Sequence, residues 1–167
     1  MERLKVKYTF ILLMFGFLTQ HLYAQEFPPI ETYTPKQYDA EYQNWEVSQS
    51  KEKTIYVAND KGLLEFNGAK WKLYESPNKS IMRSVHVVND HIYTGSYMEF
   101  GFWKKNEFGE LMYTSLTTNL SETLVEDEQF WSIIGVNNWV LFQSLKRIYI
   151  YNTKDSSFKI IESNTRL

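Results

Sequence analysis

Chemistry needs polar side chains that converge, and this chain offers few groups able to do so. Beyond its first 24 residues it keeps two histidines, His86 and His91, and it has no cysteine anywhere. A metal site needs several such ligands at a fixed geometry, so the two histidines read as structural and no metal is expected. Glu126, Asp127 and Glu128 are consecutive. A strand would point them to alternating faces, and a loop would make them a solvated acidic connector. Acid–base work on a glycoside needs two carboxylates held about 5–10 Å apart across the substrate, which adjacency does not supply. No Gly-x-Ser-x-Gly elbow, phosphate loop or dinucleotide fingerprint occurs in the sequence. Gly95 and Gly101 suit hairpin or bulge duty, and no cofactor is expected. The residues point away from catalysis.

Any positioning framework begins after residue 24. Arg3, Lys5 and Lys7 precede the apolar run YTFILLMFGFL, Tyr8 to Leu18, and TQHLYA closes on Ala24. That order is the signature of a secretory signal peptide over residues 1–24, with an uncleaved N-terminal anchor as the lesser reading, since the run is shorter than the roughly 20 residues of a membrane span. The chain carries 18 basic and 20 acidic residues, and cleavage removes three basic groups and Glu2, leaving a net charge of about −4. Direct nucleic-acid binding is therefore not expected. An exported chain without cysteine has no disulfides and relies on its core alone. Aromatic residues make up 17% of the sequence, which favours strands over helices. Residues 25–43 hold three of the four prolines and read as an extended lead-in.

From Asn44 a pattern repeats. The first copy runs NWEVSQS, TIYVAND, GLLEFNG, WKLYES; the second MRSVHVVND, HIYTGSY, EFGFWKKN, LMYTSL; the third FWSIIGVNN, WVLFQSL, RIYIYNTKD, FKIIES. Ile55, Ile92 and Val140 correspond, at spacings of 37 and 48 residues, and the surplus falls mainly in Thr117 to Glu128. Four short strands recurring about every 40 residues define a propeller blade. Asn59-Asp60-Lys61-Gly62 and Asn67-Gly68 offer positive-φ positions for hairpins, as do the Asn89 and Asn137 turns. The expected fold is all-β: a partial β-propeller of three four-stranded antiparallel blades, residues 44–80, 81–128 and 129–167. A β-sandwich of similar strand count is the rival, and in-phase repetition argues against it. Three blades form an open arc, since rings have about 4–8. An open arc exposes an apolar face, so the remaining blades of a longer chain, or self-association, are expected to cover it.

The stretches QNWEVSQ, IYVANDKGLLEFNGAKWKLYESPNKSIMRSV, IYTGSYMEFGFWKKNEFGELMYTSL and DEQFWSIIG…WVLFQSLKRIYIYN resemble the two-component regulator propellers of Bacteroidetes. These are ligand-binding sensor domains of hybrid histidine kinases and helix-turn-helix (LuxR-type) transcriptional regulators. The resemblance implies a periplasmic, non-catalytic sensor propeller for a small molecule or oligosaccharide. It further implies a parent anchored in the inner membrane, with downstream output domains. The sequence lacks the family's later parts: the β-sandwich, the second apolar span, the kinase box and the DNA-binding helix.

Propeller geometry places candidate ligand contacts on one set of loops: Asn59 to Lys61, Asn78 to Ser80, Ser96 to Glu99, Gln143 to Lys146, and the Thr117 to Glu128 connector. Tyr97 could stack on a sugar ring, while Asn78, Glu99 and Lys146 could bond its hydroxyls. Arg83, on an inner strand, could point into the central channel. Each also reads as an ordinary loop or strand residue. Trp45, Trp71, Trp103, Trp131 and Trp139 are expected to pack between blades, an exposed sugar-binding platform being the lesser reading. Two other classes stay open: a secreted propeller enzyme that degrades polysaccharide, and a scaffold that closes its ring by oligomerising.

Overall fold

The computed structural model describes residues 28–163 together with Tyr8 and Thr165. Apart from Tyr8, the expected signal peptide over 1–24 lies outside the described residues. The chain divides into a unit of residues 1–32 and a larger unit of residues 33–167, and everything below concerns the second.

Each repeat copy folds as one antiparallel meander. The first sheet comprises β1 (Asn44–Gln49), β2 (Ile55–Asn59), β3 (Gly62–Phe66) and β4 (Trp71–Glu75). The second comprises β5 (Met82–Val88), β6 (His91–Ser96), β7 (Glu99–Lys105) and β8 (Leu111–Ser115). The third comprises β9 (Ser132–Val136), β10 (Trp139–Gln143), β11 (Arg147–Asn152) and β12 (Phe158–Glu162). Turn chemistry explains the hairpins: Gly62 and Gly68 have φ of 149° and 92°, and Asn89 and Asn137 take 56° and 54°. Glycine and asparagine tolerate these values best.

The sheets stack through aromatic and aliphatic faces. Tyr56, Ala58 and Leu63 of the first meet Met82, Val85, Ile92, Trp103 and Leu111 of the second. Tyr93, Phe100 and Leu116 meet Phe130, Ile133, Val140, Phe142, Tyr149 and Tyr151 at the next junction. The first strands lie side by side, joined by side chains where no ladder runs. Val85 N donates to Glu46 Oε2 (2.9 Å), Val87 N to Ser48 Oγ (3.0 Å), and Ser84 Oγ to the Phe130 carbonyl (2.9 Å). Gly95 serves this packing, and Gly101 serves the close approach of β8 within its own sheet. A Cβ on Gly95 would lie 2.5 Å from Ser84 Oγ and 2.6 Å from Phe130 Cβ, and one on Gly101 only 2.2 Å from the Thr114 carbonyl oxygen.

Two expectations are corrected. The lead-in is not extended throughout: Pro35–Tyr38 forms one helical turn, α1. Proline at the first helical position and a Thr-x-x-Gln start favour it, and Thr34 N donates to Gln37 Oε1 at 2.8 Å. The turn docks Tyr38, only 6% exposed, against Trp71 at 5.7 Å between ring centroids. The tryptophans also divide. Trp103 is buried between sheets and Trp71 stacks on Phe66, whereas Trp45, Trp131 and Trp139 stay 40%, 38% and 41% exposed. Trp139 sits with Ile134, Val136 and Ile161 on the face of the third sheet turned away from the second, an exposed apolar face. Trp45, on β1, and Trp131, just before β9, meet edge to face with ring centroids 6.1 Å apart.

Candidate functional site

The loops at one end of the second and third sheets are tied into a single surface. Asn78 Nδ2 donates to the Tyr97 carbonyl (2.7 Å), Met98 N to the Glu128 carbonyl (2.8 Å), and Tyr97 bridges to Gln129. The Tyr97 hydroxyl donates to Asp127 Oδ1 at 2.7 Å, a bond that raises the phenol pKa above its ordinary value. Lys79, Met98 and Asp127 all adopt left-handed backbone, with φ of 57°, 53° and 59°. Side chains other than glycine do so only where surroundings hold them there.

Glu128 explains how the connector is held, and it corrects the reading of the acidic run as uniformly solvated. It is 5% exposed. Its carboxylate accepts Ser144 Oγ (2.6 Å), the Tyr149 hydroxyl (2.7 Å) and Val125 N (3.0 Å). A buried carboxylate persists only with such partners. Burial pushes the Tyr149 phenol up, and Glu128 adds to the rise against an opposing Arg147, so the phenol remains a donor. Beside this anchor runs an open groove of about 480 Å³, lined by Val125–Gln129 and Ser144–Lys146.

The sequence-derived candidates separate here. Asn78 and Tyr97 are joined, and Lys146 lines the groove with its side chain exposed. Glu99 stands apart: its carboxylate accepts the Tyr113 hydroxyl (3.0 Å), Ser115 Oγ (2.8 Å) and Thr117 Oγ1 (3.2 Å). Those bonds fix the start of the connector. Arg83 lies where β5 breaks register, between Met82 and Ser84. Its guanidinium carbon is 4.2 Å from the Trp45 ring and 4.4 Å from the Trp131 ring, and Nε donates to Gln129 Oε1 at 2.7 Å. Of the residues gathered here, only Gln129 goes unremarked in the sequence; Glu128 reads there as part of a solvated acidic connector, and Trp45 and Trp131 read chiefly as packing. A signal existed: in the aligned starts NWEVSQ, MRSVHV and FWSIIG, Trp45, Arg83 and Trp131 fall in one column.

The histidines do not converge. His91 Nδ1 pairs with Asp90 at 2.8 Å, and His86 sits half-buried on β5, its pKa lowered by burial. Among the described residues, no group of three or more His, Cys, Asp or Glu is placed to hold a metal ion. Nor is any helix among them long and apolar enough to cross a membrane.

No family model matches the sequence, and no curated protein matches it. Among solved structures, the chain is similar to the extracellular domain of a candidate one-component system, BT4673 from B. thetaiotaomicron. The TM-score is 0.55 at 14% identity, and the match covers 72% of this chain and 16% of that one. The likeness is one of fold, and this chain spans about one sixth of that protein's length.

Proposed function

We propose that the three sheets are blades of a β-propeller and that the chain is the N-terminal part of a periplasmic, non-catalytic sensor. The loops around Tyr97, Asp127 and Lys146 would capture a small molecule or oligosaccharide, and further blades and downstream domains of a longer protein would relay the event. The observation that carries this reading is the groove itself. Glu128, itself withdrawn into hydrogen bonds, fixes a connector whose Asp127 and Gln129 stay at the surface beside Tyr97 and Lys146. Recessed surfaces with a few fixed polar groups are the usual form of a ligand site. The described fold likeness to an extracellular domain supports export, and the resemblance to two-component regulator propellers supports a signalling parent, a hybrid kinase or a helix-turn-helix regulator.

Calorimetric titration of the full chain with a panel of oligosaccharides tests the reading. Saturable binding that Tyr97→Ala and Lys146→Ala weaken, with no sugar released from the same glycans, is the expected outcome. Release of reducing ends by the purified chain would instead establish the enzyme reading. A stable oligomer that binds no glycan would favour the scaffold.

A further inference from the structure

Arg83 differs from several other cations of the three sheets because no carboxylate pairs with it among the described residues. Lys105 pairs with Glu65, Lys104 with Asp90 and Arg147 with Glu162, yet Arg83 enters no ion pair among the described residues. Glu46 accepts Val85 N and Asp60 accepts Trp45 Nε1 at 2.7 Å, and neither comes within ion-pair distance of Arg83. The guanidinium is nevertheless firmly placed. Indoles lie against it at 4.2 and 4.4 Å, and Gln129 takes its Nε proton. Trp45 is itself fixed by Asp60, and Trp131 by the bond from its backbone N to the Gln143 carbonyl.

What remains is the outer edge of the fork. Nη1 is buried without a partner, and the Nε bond is this side chain's only hydrogen bond among the described residues. A guanidinium carries five N–H donors, and a buried donor left unmade is costly. Flanking indoles stabilise the cation without cancelling its charge, so the group stays competent to bind an anion. A carboxylate matches paired guanidinium donors in a planar, bidentate fashion, and it reaches Nη1 here only when the side chains that bury that atom part. The indoles keep 40% and 38% of their surface open, and such faces take the apolar side of a sugar ring. Gln129 both holds Arg83 and lines the groove, so one extended ligand could reach both.

We infer that Trp45, Arg83 and Trp131 form a receptor for a carboxylate carried on a sugar ring, that is, for a uronic-acid unit of an oligosaccharide. The inference rests on the proposed ligand capture and narrows its substrate class.

The test titrates the full chain with galacturonate, glucuronate and mannuronate oligosaccharides, each alongside its carboxyl-reduced neutral counterpart. Tryptophan fluorescence and calorimetry are both read. A uronic ligand should bind and change the fluorescence, and its reduced counterpart should bind about tenfold or more weakly. Arg83→Met should remove that preference, with Arg83→Lys between the two because it keeps charge and loses the fork. Should Arg83→Met fail to fold, the matched ligand pair on the unaltered protein still decides the matter. Equal affinity within each pair, or binding of neutral glycans alone, would overturn the carboxylate receptor and leave ligand capture standing. Binding of neither kind would overturn both.

Discussion

Two junctions of this protein are each built around a buried glutamate, and the two are handled differently. Glu65, 7% exposed between the first and second sheets, accepts hydroxyls from Tyr56 (3.2 Å) and Tyr74 (3.0 Å) and pairs with Lys105 at 2.6 Å. Glu128, 5% exposed beside the third sheet, accepts Ser144, Tyr149 and the Val125 amide, and no cation pairs with it among the described residues. Burying a carboxylate is tolerated when hydrogen bonds and charge replace water. Glu65 uses a cation because a neighbouring sheet can supply one. Glu128 uses neutral donors alone, and what it secures is a connector rather than a sheet face. The first glutamate joins walls; the second shapes a groove.

The sharpest way to break the second junction is through its rings. Phe100 and Phe130 are fully buried, 4.6 Å apart in an edge-to-face pair, and Phe100 lies 4.4 Å from Phe142. Phe100→Ala should cost about 3–5 kcal/mol, read as a lower urea midpoint. No single truncation at the first junction, whose core is more aliphatic, should cost more.

Next comes the pair of glutamates. Glu128→Ala leaves the Tyr149 hydroxyl and Val125 N unmatched, while Ser144 Oγ keeps the Arg147 carbonyl, and should cost about 2–3 kcal/mol, since each abandoned buried donor is penalised. Hydrogen exchange should rise through Val125–Gln129 and not through the first sheet. Glu65→Gln keeps an acceptor oxygen for one tyrosine, offers the other an N–H that its hydroxyl oxygen can accept, and loses the charge facing Lys105, whose own side chain is 47% exposed. A loss of about 1 kcal/mol or less is expected there, because the cation left behind is half-exposed and stays solvated. Equal losses at the two sites would erase the distinction drawn above.

The smallest effect is in pH. Burial lowers the pKa of His86 below its ordinary 6.5. Its contribution is therefore fully present above about pH 6.5 and is lost as pH falls through the lower folded value. Glu46 runs the opposite way. Burial raises its pKa above 4.5, with the Val85 amide opposing, so its contribution is present below pH 4.5 and is lost as pH rises through the raised value. His86→Asn should flatten the stability profile just below pH 6.5, and Glu46→Gln should flatten it above pH 4.5. Both are checked by thermal melts across that range.

Much of the framework was legible in order of residues. Period-two apolar runs and Gly or Asn at turns yield twelve strands in three meanders, because hairpin pairing is local and needs only neighbouring segments. The helical turn at Pro35 was hidden by its brevity, although its Thr-x-x-Gln start was readable. Asn59, assigned to a ligand loop, proved fully buried, its Nδ2 donating to the Glu41 and Gln43 carbonyls at 2.8 and 3.0 Å. Glu99 was similarly drawn inward by hydroxyls from Tyr113, Ser115 and Thr117. A polar residue in a turn looks the same in sequence whether water or protein satisfies it.

The sequence by itself determined the strands, their meander order and the alternation that sends one set of side chains between sheets. Those follow from torsional preference and hydrophobic period, which act within each copy. Only the tertiary structure decided which carboxylates are consumed and which cation is left over. Glu128 meets Ser144 and Tyr149, and Arg83 meets Trp45, Trp131 and Gln129, across 16 to 48 residues of chain. Such meetings depend on how three separate sheets stack, and no local preference encodes that.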